Sequence, residues 1–254
     1  MLFYLDFTRR PVYYCRMVIK DTRLSILEKG ARIIHKKGYN HTGIQEILDA
    51  AGVPKGSFYH FFKSKEDYGL RLLDHYAGFF VNKAGALLNK TDRPPIQRLR
   101  SFFDDFRGFF EDNACELGCP IGNLSQEMGD LNPAFRKKLE EIFKMMVAPV
   151  EKLLKAAQER DELSPNRDTR EMADFIINSW EGAILRMKVQ KSPDALRLFD
   201  KMIFNGFLKP AAGIPTQTPA RINPKQKASL AKTQRTLPGE RRTVPGSRRK
   251  GAIS

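Results

Sequence analysis

Two groups of residues in this chain have the types and spacing to do chemistry. The first is Lys55-Gly56-Ser57, which follows the turn Gly52-Val53-Pro54. Lysine can donate to O6 and N7 on a guanine edge, and serine is permissive toward several bases. Glycine between them lets the backbone come close. The second is Gly118-Cys119-Pro120. Proline favours the first turn of a helix, so Cys119 stands at a predicted helix start. There the positive end of the dipole is expected to lower its thiol pKa and raise the thiolate fraction. Its spacing from Cys115 would also permit an intramolecular disulfide. No general base lies near Cys119 in sequence, and no histidine lies at ligand spacing, so no metal site is expected. Many such cysteines are simply small buried hydrophobes.

The first group needs elements to aim it. Thr42 is expected to cap a helix in which Ile44, Ile47, Leu48 and Ala51 share one face. Gly52 suits a left-handed cap, Val53 plugs the angle, and Pro54 starts the next helix. That helix presents Lys55, Gly56, Ser57, Tyr59 and His60 around an apolar side of Phe58, Phe61 and Phe62, with Phe58 and Phe62 expected in the core. Two helices joined by a tight glycine turn form a helix-turn-helix, whose second helix enters the major groove. A preceding helix over about 21–37, stopped by Gly38, completes a three-helix bundle. Ser64 caps a fourth helix reaching about residue 88, with Glu66 and Asp67 in its first turn.

Beyond it, periodicity predicts helices from Pro94, over 120–129, from Pro133 to about 160 with a possible kink at Pro149, over 168–189 and over 193–208. No segment alternates with period 2. The fold class is therefore all-α, an N-terminal helix-turn-helix bundle (17–75) followed by a helical ligand-binding and dimerisation domain (76–209). The net charge is +15. Residues 210–254 contribute +9, residues 17–75 contribute +3, and the long middle is near neutral. A basic head fits a phosphate backbone. The tail has no aromatics and is expected to be disordered. Residues 1–16 fit no pattern and read either as an upstream extension from a misassigned start or as a flexible arm. No run of 18 apolar residues spans a membrane. Three cysteines argue for a reducing compartment, the cytoplasm. No phosphate loop, HExxH or nucleophile elbow is present, so no catalytic residue and no cofactor is expected.

Over about residues 20–75 the chain closely resembles the DNA-binding domain of TetR/AcrR-family regulators. The resemblance rests on Gly43-Ile44-Gln45-Glu46-Ile47, Ala51-Gly52-Val53 and Gly56-Ser57-Phe58-Tyr59-His60-Phe61-Phe62-Lys63-Ser64-Lys65-Glu66. It implies that Thr42, Tyr59, His60 and Lys65 contact backbone phosphates. The segment from Gly118 to Glu127 is similar to a subfamily that includes the N-ethylmaleimide- and acrylate-responsive repressors, which implies effector sensing at Cys119. The resemblance also implies a pocket among Phe106, Phe110, Phe143, Met146, Trp180 and Ile184, with Asn178 or Glu181 as its polar groups, and a homodimer through residues 168–208.

The reading is a dimeric transcription factor, a repressor that leaves a double-stranded operator when a small molecule binds or reacts. Two alternatives stand beside it. One is an enzyme with Cys119 as nucleophile. The other is a constitutive architectural DNA-binding protein driven by its charge.

Overall fold

The computed structural model describes residues 22–89 and 92–209. The 1–16 extension, Cys15 and the basic 210–254 segment lie outside the described residues. Every regular element described is helical. The order is α1 (Thr22–Lys37), α2 (Ile44–Ala51), α3 (Gly56–Phe61), α4 (Lys65–Asn89), α5 (Pro95–Asp112), α6 (Pro120–Met128), α7 (Pro133–Glu159), α8 (Thr169–Gln190) and α9 (Asp194–Met202), followed by a π-helical turn Ile203–Phe207.

Local chemistry sets these boundaries. Gly52 ends α2 at φ +67°, and the Val53 amide returns to the Leu48 carbonyl. That left-handed geometry closes the turn cheaply only for glycine. Ser64 Oγ accepts from the Asp67 amide while the Asp67 carboxylate accepts from the Lys63 amide, fixing the start of α4. The Asn132 side chain accepts from Ala134 and Phe135 at the start of α7, and Asp168 does the same for α8. α7 runs on through Pro149. The Met145 residue whose carbonyl loses its N–H partner there is exposed to water.

Three expectations need correction. Gly43, not Thr42, precedes α2, and it offers no side-chain cap. Pro54 lies in a tight turn before α3, where Ser57 bonds back three residues to the Pro54 carbonyl. The last predicted helix is split, because the chain widens into the π-helical turn after Met202.

One apolar core runs from Ile26 to Leu208. In α4, Tyr68, Leu72 and Leu73 are fully buried, and this helix touches α1, α5, α6 and α7. The two predicted domains therefore share a helix and one continuous interior. Phe58 of α3 seats on that interior, with ring centroids 5.3 Å from Phe62 and 5.7 Å from Tyr68. Phe58→Ala is expected to cost about 3–5 kcal/mol, read as a lower urea midpoint. Tyr59→Ala, next to it but with a residue 59% exposed, is expected to change the midpoint by no more than about 0.5 kcal/mol.

Candidate DNA interface and effector site

α3 has two faces because its apolar residues recur at helical spacing. Phe58 points in, and Lys55, Gly56, Tyr59 and His60 point out. Ser57 is half-buried. A Cβ built on Gly56 would meet nothing within 4 Å, so this glycine leaves room on the outer face rather than in the core. Lys65, at the start of α4, lays its ammonium 4.7 Å above the Tyr39 ring. The Tyr39 hydroxyl donates to the Lys65 carbonyl at 2.8 Å. Partial burial lowers the Lys65 pKa, with Glu127 opposing. Thr42 does not join this surface through its side chain. It is buried, and its hydroxyl donates to the Gly38 carbonyl at 2.7 Å. What remains outward there is the uncapped N-terminus of α2, whose free amides favour an anion.

Cys119 is the N-cap residue of α6, as its sequence position implies. Its surroundings oppose the expected thiolate. Burial pushes the thiol well above its ordinary pKa, and the neighbouring Glu181 carboxylate pushes it further; hydrogen bonds from the Gly122 and Ile121 backbone oppose both. Desolvation of the ion outweighs the helix dipole. Glu181, on α8, stands beside the thiol across Gly122, and burial raises its own pKa to about 7. Its Oε1 is buried with no hydrogen-bond partner. Cys115 and Cys119 are both free thiols, and burial raises Cys115 too.

α6 is tied to the DNA-binding bundle at both ends. At its N-terminal end His35 of α1 donates from Nε2 to the Gly118 carbonyl at 2.9 Å. Burial lowers the His35 pKa, and Lys188 adds to that effect against the pull of the carbonyl. At the C-terminal end the Glu127 carboxylate accepts from the Tyr39 amide at 2.8 Å and the Asn40 amide at 2.6 Å. Between these ties lies a cleft of about 360 Å³, lined among others by His35, Gly38, Tyr76, Asn123, Glu127 and Lys188.

Comparison with known proteins agrees with this architecture. Residues 26–67 match the family of bacterial regulatory proteins named for TetR, and residues 95–203 match a tetracyclin repressor-like C-terminal domain. The HTH-type transcriptional repressor DhaR of Mycobacterium sp. is 33% identical over 80% of this chain and all of its own length. The transcriptional regulator AcuR of Cereibacter sphaeroides is 36% identical over 72% of this chain and 84% of its own. This chain belongs to the TetR family. A crystal structure of a regulatory protein TetR from Rhodobacter sphaeroides superposes with a TM-score of 0.69 at 35% identity, covering 72% of this chain and 97% of that one. The reduced form of Escherichia coli NemR gives 0.66 at 26% identity, covering 73% and 97%.

In this TetR-family chain Phe106, Phe110 and Trp180 belong to one aromatic network. Trp180 packs on Phe103 and Phe199 at about 5 Å, with Phe110 beyond at 6.4 Å. Phe106 joins the same network through Phe102, whose ring lies 5.0 Å from Phe106 and 5.3 Å from Phe103. Met146 is buried and Phe143 half-buried on α7, and neither these two nor Phe106, Phe110 or Trp180 lines the 360 Å³ cleft. Asn178 is exposed on the outer side of α8 and supplies no polar group to the interior. Glu181 does, because it shares the buried stripe of Ile177 and Ile184. An acid on that stripe is the signal that sequence offers for it. Glu127 and His35 carry no such signal, since their partners lie more than 80 residues away. Glu127→Ala is expected to speed hydrogen exchange at the Tyr39 and Asn40 amides and to cost about 1.5 kcal/mol of stability.

Proposed function

We propose that this TetR-family regulator is a homodimeric repressor whose operator affinity falls when a small electrophile or ligand engages its C-terminal region at Cys119. Its site of action is then the chromosome, in the cytoplasm. The observation that carries the reading is the linkage of α6. The helix that begins at Cys119 ends at the carboxylate holding the Tyr39-Asn40 turn. A change at the thiol that shifts α6 is felt by α1 and, through it, by the helix-turn-helix. The relatives DhaR and NemR bear the name of repressors, which supports the sign of the effect. A coupling of about 1–3 kcal/mol changes affinity about 5- to 150-fold.

Dimerisation rests on a surface observation. Phe175, Leu185, Val189, Leu198 and Met202 are all large, apolar and exposed, and all lie on α8 or α9. Leu185 with Val189, and Leu198 with Met202, stand one helical turn apart, giving stripes that an isologous partner would cover. Pairing sets two α3 helices about 34–36 Å apart, or a multiple of that, to read a palindrome. Lys55, Gly56 and Ser57 then face base edges, and Tyr59, His60, Lys65 and the α2 N-terminus face phosphates.

Selection from a pool of random duplexes tests the operator reading. A two-fold symmetric site is expected. Binding without sequence preference and with steep salt dependence would instead favour the architectural alternative. On the selected site, Lys55→Ala is expected to relax discrimination at one base pair, at a cost of about 1–3 kcal/mol. Lys65→Ala is expected to weaken binding to all sequences and lower the salt slope by about one phosphate. The double substitution Val189→Glu with Leu198→Glu is expected to give a monomer by light scattering. Retention of a dimer would remove α8 and α9 from the interface.

A further inference from the structure

Cys119 is a poor nucleophile by its own ionisation, because burial and a nearby carboxylate both disfavour the thiolate. The same carboxylate supplies what the thiol lacks. Glu181 reaches the start of α6 because residue 122 is glycine. A Cβ there would come within 2.5 Å of Glu181 Oε2 and 3.7 Å of the Cys119 Cβ. Acid and thiol therefore meet over the bare Cα of Gly122. The Glu181 Oε1 is fully buried and accepts from no donor. A carboxylate so poorly solvated gains by taking up a proton. An acid that titrates near the operating pH is what general base catalysis needs.

We propose that Glu181 is the proton acceptor that activates Cys119 toward α,β-unsaturated carbonyl compounds. The inference rests on the reading of Cys119 as the effector site. In the addition, the sulfur forms a bond to the β-carbon as the S–H proton moves to the Glu181 carboxylate. The C=C electron pair shifts to the α-carbon and carbonyl oxygen as an enolate. Glu181 then returns the proton to the α-carbon, leaving a saturated thioether and a carboxylate. No oxidant or further reactant is required. The other groups facing this pair are Tyr76 of α4, whose raised pKa includes a contribution from Cys119, and, around the adjoining cleft, His35 of α1 and Lys188 of α8. Tyr76 is kept neutral by burial and donates to the Ala31 carbonyl. Its proton is thus committed elsewhere.

The sign of one substitution separates this role from a passive one. The Glu181 charge raises the thiol pKa, so a carboxylate that acts only by its field would, on removal, leave a more acidic and faster thiol. A proton acceptor, on removal, leaves a slower one. Acrylamide is the probe, and adducts at Cys119, Cys115 and Cys15 are counted by peptide mass. The wild-type rate at Cys119 is expected to rise with pH through about 7, as Glu181 loses its proton, and then level. Glu181→Gln is expected to slow alkylation on the order of 100-fold near pH 7.5 and to abolish that inflection. Gly122→Ala, which keeps the acid but displaces it, is expected to slow the reaction in the same direction. A solvent deuterium isotope effect on the wild-type rate needs no variant to fold. If Cys119 in the folded wild-type protein takes no adduct, the effector reading itself fails and this proposal with it. If Cys119 is modified but Glu181→Gln is as fast or faster, only the role of Glu181 is overturned.

Discussion

The architecture depends on one constraint, the pair of hydrogen-bonded ties that hold α6 against the end of α1. Each tie uses backbone groups that the helix-turn-helix bundle cannot satisfy alone. The Tyr39 and Asn40 amides lie in the turn just past the end of α1. Glu127 supplies a charged acceptor to both at once. At the other end the Gly118 carbonyl, in the loop before α6, finds its donor in His35. A charged acceptor on two amides is stronger than a neutral bond, so Glu127 is a firm tie between α6 and the turn after α1.

This constraint explains why a regulator of this size can work with short elements. α3 has six residues and could not stand as an isolated helix. It is held because Phe58 is buried among Phe62 and Tyr68, and Tyr68 belongs to α4, which also contacts α5, α6 and α7. The reading head is therefore a surface of the whole core.

The chemistry at Cys119 shows how position and environment can oppose each other. A helix start favours a thiolate, and a half-buried site beside a carboxylate disfavours it. Desolvation wins, as it does for most ionisable groups taken out of water. A buried acid with one unsatisfied oxygen is a costly feature for a protein to keep.

Much was legible in the sequence. Glycine at 52, the Ser64 cap, the proline at 133 and the spacing of apolar residues set the helices, because those effects act over one or two turns. The outward placement of Lys55, Tyr59 and His60 follows from the same periodicity. Family membership was legible as well, in the run from Gly43 to Glu66. The tertiary structure decided what depends on distant partners. It turned the Thr42 hydroxyl inward to Gly38, placed Asn178 in solvent, and packed Phe106, Phe110 and Trp180 into one aromatic network. It brought Glu181 to Cys119 across 62 residues and Glu127 to Tyr39 across 88. Ionisation and coupling depend on which groups meet and how dry the meeting place is, and neither is a property of local sequence.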